Sequence, residues 1–261
     1  MKIAVIGCGN MASAIVLRVH EENESIQFYC YTPTKIKAET LANKVNGVVC
    51  DTLNDFPKDI EYWIIACKPQ QVDDLAREFK YKSKNIISIL AGTTTKKLGK
   101  IFNTDKIIRV MPSTPSEIGM GISLLFFTES ITQKLKNEMT SLFKACGMII
   151  ELEDEDRIGP LTVFTGSGPG FLFHIASIFE SELTKLGFKD ICSKEVISQL
   201  FKGVGNLYSD KKLDALTLQK QVTSKAGVTE AGIESFKQQK LDQIIEKSLK
   251  SALIREKELG K

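Results

Sequence analysis

The stretch Lys2–His20, KIAVIGCGNMASAIVLRVH, joins two periodicities at a pair of glycines. "KIAVI" is a short β-branched run of the kind that forms a buried parallel strand. "NMASAIVLRVH" carries its apolar residues at helical spacing. Between them stands Gly7-x-Gly9-x-x-Ala12. Each small residue answers a physical demand: Gly7 permits the tight turn, Gly9 lets backbone approach a pyrophosphate, and Ala12 lets the helix pack closely on the strand. A strand, glycine turn and helix in this order predict a dinucleotide site. Gly7, Gly9, Asn10 and Met11 are its candidate cofactor-binding residues.

The next strand, "IQFYCY", runs to Tyr31. In an NAD site an acidic residue about 20 positions past the glycines accepts the ribose 2′-hydroxyl. Here the turn reads Thr32-Pro33-Thr34-Lys35, with no acid. Two hydroxyls and an ammonium suit a 2′-phosphate better, because a carboxylate would repel it. The spacing therefore predicts NADP(H) as the preferred cofactor, with NAD(H) possible. The alternative is a solvated turn in which Thr34 caps the following helix.

Strand signals then alternate with helical ones. "EYWIIACK", "NIISILAG", "KIIRVMPS", "GISLLFF" and "GMIIELE" read as strands; "PQQVDDLAREF" and "ITQKLKNEMTSLFKACG" read as helices. This alternation predicts an α/β fold with a doubly wound, mostly parallel sheet. Ligands of such sheets sit at the carboxyl ends of the strands. That rule makes Ala66, Lys68, Pro69, Ala91, Gly92, Met111 and Pro112 candidate cofactor-facing residues.

After Glu151 the strand signals fade. "GFLFHIASIFESELTKLGF" and "KEVISQLFKGVGNLYSDKK" have helical apolar spacing, and "GIESFKQQKLDQIIEKSLKSALIREKELGK" reads as helix to the end. Two domains are expected: a nucleotide-binding domain over 1–154 and an all-helical domain over 155–261. Amphipathic helices in so small a domain suggest burial against a second subunit, with a self-contained bundle as the alternative. Between the helices lies "QVTSKAGVTEAG", Gln221–Gly232, small-residue-rich and immediately before a helix. Successive backbone N–H groups at a helix start make an anion pocket, whereas the plain reading is a helix–helix turn capped by Thr229.

Composition narrows the classes. The chain has 261 residues, 43% hydrophobic and 26% charged, with a net charge of +3 spread along its length, which argues against nucleic acid. Six cysteines form no CxxC pair, and isolated thiols in a chain of this size fit a reduced cytosolic protein. With two histidines, no metal site is expected. "MKIAVIGCGNMASA" resembles a secretion signal, but its apolar run Ile3–Ile6 is far shorter than the roughly 7–15 residues such a signal needs. No later stretch is expected to reach the ~18 apolar residues of a membrane span, and a cytoplasmic location follows as the expectation.

Taken together, "IGCGNMASA" (6–14), "ACKPQQV" (66–72), "RVMPSTP" (109–115), "GMG" (119–121), "TGSGPGF" (165–171) and "QVTSKAGVTEAG" (221–232) resemble the pyrroline-5-carboxylate reductase family over essentially the whole chain. The resemblance implies a Rossmann domain that binds NAD(P)H and a helical domain that forms an intertwined homodimer, with higher assemblies of dimers possible. It implies reduction of 1-pyrroline-5-carboxylate to L-proline, the last step of proline synthesis. Ser224, Gly227, Val228 and Thr229 would hold the substrate carboxylate. Ser224 and Thr229 are the catalytic candidates, Thr229 as hydrogen-bond partner of the imine nitrogen. "TGSGPGF" becomes a packing turn that launches the long helix of the dimer domain. The family's Met-Pro-Asn reads Met111-Pro112-Ser113 here, its Gly-Pro-Ala-Tyr reads Gly168-Pro169-Gly170-Phe171, and its Ser-Pro-Gly-Gly-Thr-Thr reads Ser224-Lys225-Ala226-Gly227-Val228-Thr229.

A protonated cyclic imine is already electrophilic, so its reduction needs positioning more than a strong acid, which suits a chain without an evident acid–base constellation. Two other readings stand beside this one. A related two-domain imine or β-hydroxy-acid reductase would share the build, but the latter generally uses a lysine early in the helical region, and none lies between Lys144 and Lys185. A catalytically silent nucleotide-binding dimer would account for the altered 224–229 loop.

Overall fold

The structure is a computed structural model that describes residues 1–81 and 84–259. Five strands expected from the apolar runs form and pair: β1 Lys2–Ile6, β2 Gln27–Tyr31, then, after a two-residue β3 at Val48–Val49, β4 Tyr62–Ile65, β5 Asn85–Ser88 and β6 Ile107–Met111. β7 Gly121–Phe127 and β8 Gly147–Leu152 complete one eight-stranded sheet in the order β3-β2-β1-β4-β5-β6-β7-β8. The fold is thus α/β, with a Rossmann-type sheet that is parallel throughout except where β7 runs antiparallel to β6. The reversal has a simple cause. Only a short 3-10 turn, Thr114–Ile118, joins β6 to β7, and a parallel partner would need a crossover of a dozen residues or more.

Helices α1 Asn10–Glu22, α2 Lys35–Lys44, α3 Val72–Glu78, α4 Thr95–Phe102 and α5 Gln133–Lys144 cover the two faces. Two apolar layers result. Ile3, Val5, Ile64, Ile87 and Phe143 lie in one; Ala4, Trp63, Ile65, Ile86 and Leu98 lie in the other. Alternate residues of β1 and β4 thus serve opposite layers, and each fully buried aliphatic side chain contributes about 1.5–3 kcal/mol.

The chain continues as α6 Ile158–Thr165, α7 Gly168–Lys185, α8 Ser193–Lys211, α9 Ala215–Gln221, α10 Val228–Gln238 and α11 Leu241–Leu259. The expected single helix over the last thirty residues is therefore two, divided at Gln239–Lys240, where Lys240 takes φ +58°; Gly260 and Lys261 lie outside the described residues. Gly166 and Ser167 both donate their N–H groups to the Thr162 carbonyl, so the glycine turn between α6 and α7 is closed by its own backbone.

Two compact units emerge, Met1–Pro169 with Leu253–Lys261, and Gly170–Ala252. The second has almost no interior of its own: among the described residues, Ile197 is its one buried apolar side chain, while Phe173, Ile178, Leu200, Val204 and Phe236 are exposed. One expectation is corrected. Glu155–Lys185 is long and apolar enough to cross a membrane by length and composition. Its glycines and alanine sit among phenylalanines, leucines and isoleucines, with acidic residues confined to the two ends of the span.

Candidate functional site

The register of three strands builds the first site. Ile6 pairs with Tyr31 on one side and with Ile65 on the other, so β1, β2 and β4 end level. Sheet order reverses at β1, which opens a crevice at these carboxyl ends. The Gly7 N–H donates to the Tyr31 carbonyl at 2.8 Å, and the Ala66 N–H to the Ile6 carbonyl at 2.8 Å, which ties the three exits together. Gly7 has φ +98°, and a Cβ there would stand 2.5 Å from the backbone carbonyl of Ala66. Only glycine fits.

Gly9 differs in kind. Its φ of −76° is ordinary and a Cβ would meet nothing within 4 Å, so its freedom serves the space in front of the turn. It stands at the N-cap of α1 with no side chain capping the helix. The first N–H groups of α1 are thus free for an anion, and the helix dipole favours one there.

In front of this turn lies a cleft of about 430 Å³. Of the cofactor candidates, Gly7, Gly9, Thr32, Thr34, Ala66 and Lys68 line it. Asn10, Met11 and Pro69 flank it along the chain without lining it; Ala91, Gly92, Met111 and Pro112 stand farther along the same sheet edge, just past β5 and at the end of β6. Lys35 is turned elsewhere. Its Nζ lies 2.7 Å from Asp51 Oδ1 and 4.0 Å from Glu39 Oε1, and the Asp51 hydrogen bond and charge hold its ammonium above the ordinary value. Lys37, one turn of α2 beyond Thr34, lines the cleft in its place. The 3.6-residue repeat could have found it, since residues three apart share a helix face.

Thr34 does occupy the N-cap of α2, yet its hydroxyl makes no capping bond there. The Thr32 hydroxyl donates to the Thr34 carbonyl at 2.6 Å, which fixes the turn. Asp74 and Glu78 of α3 also line the cleft; no local pattern points to them, because only the β1–β4 pairing brings α3 beside the turn. Burial pushes the Cys67 thiol up to about 11, so it lines the cleft as a neutral, weakly nucleophilic group. Cys8, Cys30, Cys50 and Cys146 are buried free thiols, while Cys192 is exposed.

The second candidate site lies in the unit Gly170–Ala252, between α9 and α10. Gly227 is the N-cap of α10, Val228 its first residue and Thr229 its second, so Thr229 does not cap the helix. The Gly227 N–H donates to the Ser224 carbonyl at 3.0 Å, and a Cβ on Gly227 would collide with the Ser224 hydroxyl oxygen. The loop thus brings Ser224 over the start of α10. Ala226 takes φ +56°, and its N–H donates to Glu230 Oε2 at 2.6 Å. Ser224, Val228 and Thr229 are exposed, Gly227 half-buried. A loop of this shape offers free N–H groups and two hydroxyls to an anion.

Within the first unit an ion pair ties β6 and the start of α4 to the turn that follows β8. Arg109 Nη1 lies 2.8 Å from Glu155 Oε1, and Glu155 also accepts from the N–H and the hydroxyl of Thr95, at 2.8 and 2.6 Å.

Comparison with known proteins covers the whole chain. A family model for pyrroline-5-carboxylate reductase dimerisation matches residues 155–259, and one for NADP oxidoreductase, coenzyme F420-dependent, matches residues 2–92. A pyrroline-5-carboxylate reductase of Staphylococcus aureus is 31% identical over 267 aligned residues, covering 100% of this chain and 98% of that protein. The solved pyrroline-5-carboxylate reductase of Coxiella burnetii superposes with a TM-score of 0.84 at 27% identity, covering 99% of this chain and 98% of that one. The Plasmodium falciparum pyrroline carboxylate reductase, solved with NADP bound, shares the fold at a TM-score of 0.86 and 21% identity, over 100% of this chain and 98% of that one. Identity of this depth, sustained from the glycine turn to the last helix, makes the chain a member of the pyrroline-5-carboxylate reductase family.

Proposed function

We propose that this protein reduces the C=N bond of 1-pyrroline-5-carboxylate with a hydride from NADPH, giving L-proline. The observation that carries the reading is the open, uncapped glycine turn at the sheet's switch point, in a chain whose full length follows a family named for this reaction. The pyrophosphate would lie against Gly9 and the first N–H groups of α1. From there the nicotinamide would run along the sheet edge toward Ala91–Gly92 and Met111–Pro112. Hydroxyls at Thr32 and Thr34, and the absence of an acid in the first turn of α2, support NADPH over NADH.

Ser224, Gly227, Val228 and Thr229 would surround the substrate carboxylate, the donors being the hydroxyls of Ser224 and Thr229 and the N–H groups of Val228 and Thr229, since the Gly227 N–H is bonded to the Ser224 carbonyl; Thr229 would hydrogen-bond the imine nitrogen. A threonine hydroxyl is too weak an acid to protonate an amine by itself. Its role is to hold the already protonated imine so that its carbon faces nicotinamide C4 at roughly 3–3.5 Å. The apolar side chains exposed on Gly170–Ala252 support a homodimer through residues 155–259, with the Glu155–Lys185 run packed against a second copy rather than in lipid. Free buried thiols fit a reducing, cytoplasmic setting.

The test is direct. Purified protein is mixed with pyrroline-5-carboxylate and NADPH, and the loss of NADPH absorbance is followed alongside proline formation. Stoichiometric proline supports the reading; tight NADPH binding without turnover would turn it toward a silent nucleotide-binding dimer. Light scattering on the same sample reads the assembly, and a monomer would remove the dimer.

A further inference from the structure

We infer that Lys37 is the cation that distinguishes the 2′-phosphate of NADPH from the 2′-hydroxyl of NADH, and that Lys35 takes no part; the inference rests on the dinucleotide reading of the Gly7 cleft. The turn after β2 carries two lysines in three residues, and their surroundings separate them. Lys35 is committed to Asp51 at 2.7 Å and approaches Glu39 at 4.0 Å, and it lines no part of the cleft. Lys37 is exposed, lines the cleft, and has no carboxylate within ion-pair distance among the described residues.

Position strengthens the assignment. Lys37 follows Thr34 by three residues, so both rise from one face of α2, with the Lys37 N–H donating to the Thr34 carbonyl at 3.4 Å. Thr32 and Thr34 line the same wall. The Thr34 hydroxyl makes no capping bond, and the first turn of α2 holds no acid. A phosphate at that turn would meet the uncommitted Thr34 hydroxyl, the positive end of a ten-residue helix and the Lys37 ammonium, while the Thr32 hydroxyl holds the turn through the Thr34 carbonyl. The wall also lies past the carboxyl end of the second strand, where dinucleotide folds recognise the adenosine ribose.

One feature works the other way. Asp74 and Glu78 line the α3 wall, and a carboxylate there could accept ribose hydroxyls and repel a phosphate. Asp74 is already bonded to Arg77 at 2.8 Å, which leaves Glu78 as the competing group. Lys68 also lines the cleft, but from the exit of β4, so Lys37 is the cation that rises beside Thr34 in the turn after β2, where it favours NADPH against Glu78.

The experiment measures binding of NADPH and NADH separately, together with kcat/KM for each, on the full-length parent and on Lys37→Ala, Lys37→Arg and Lys35→Ala. Loss of one charge-assisted contact predicts at least about a tenfold weaker NADPH affinity in Lys37→Ala, with NADH affinity held within about twofold. Lys37→Arg should retain the preference. Lys35→Ala breaks only an exposed ion pair and should leave both cofactors within about twofold of the parent. A Lys37→Ala protein that keeps the parent's NADPH:NADH ratio overturns the assignment, as does loss of that ratio in Lys35→Ala alone. A parent that binds both nucleotides equally would overturn the NADPH reading itself, and Lys37 with it.

Discussion

Gly7 and Gly9 sit two residues apart in one turn, yet replacing each with alanine should do opposite things. At Gly7 the new Cβ would stand 2.5 Å from the carbonyl carbon and oxygen of Ala66 and 2.6 Å from the Cys67 nitrogen. All three are backbone atoms of the β4 exit and cannot swing aside. Overpacking of this kind costs about 1–3 kcal/mol, and forcing an L-residue to φ +98° adds about 1–3 kcal/mol more. A loss of about 2–6 kcal/mol should lower the melting temperature by several degrees at least. At Gly9 the Cβ meets nothing and the backbone is already in a region open to alanine, so stability should move by no more than about 1 kcal/mol in either direction. What the Gly9 methyl does invade is the space proposed for the pyrophosphate. Displacing a phosphate oxygen from one N–H costs about 1.5–3 kcal/mol, a fall in NADPH affinity of roughly tenfold to a hundredfold. Thermal melts of both variants with and without NADPH separate the effects. A Gly9→Ala protein that melts normally and binds NADPH as the parent does would refute the placement of the cofactor. A Gly7→Ala protein with an unchanged melt would refute the steric account of the turn.

Thr229→Ala should lower kcat/KM for the imine by roughly tenfold to a hundredfold while NADPH affinity stays put; because Thr229 is the second residue of α10 and caps nothing, its melting temperature should change little, and steady-state kinetics beside a melt checks both halves. Ala226→Gly should stabilise the fold by up to about 1 kcal/mol, since the left-handed φ of +56° costs alanine about 1–2 kcal/mol and glycine's looser unfolded chain returns part of the gain; chemical denaturation reads it. Glu155→Ala should cost about 3–5 kcal/mol, because it strands the buried Arg109 guanidinium and frees the Thr95 N–H, and the denaturation midpoint should fall accordingly. Glu155→Gln, which keeps one acceptor, should cost less.

The parts of this molecule that its sequence announced are those whose demands are local. Gly7 is visible because its φ favours glycine, and β1 and β4 are visible because strands buried on both faces read as near-continuous apolar runs. Features set by a distant partner stayed hidden. Val48–Val49 becomes a strand because Tyr29 and Cys30 offer it an open edge, not from any pattern of its own. The break between α10 and α11 falls at Gln239–Lys240, where no glycine marks it. The choice between Lys35 and Lys37 turns on Asp51, which reaches Lys35 only because β3 lies beside β2. Long charged side chains are the least legible of all, since four or more rotatable bonds let either lysine serve the same turn until a carboxylate claims one. The helical half pushes this furthest. Its amphipathic spacing is plain in the sequence, but with Ile197 alone buried within Gly170–Ala252, the surface that those apolar faces require is not supplied by the described residues of this chain. A second copy of the chain would supply it, and would bring its own 224–229 loop with it.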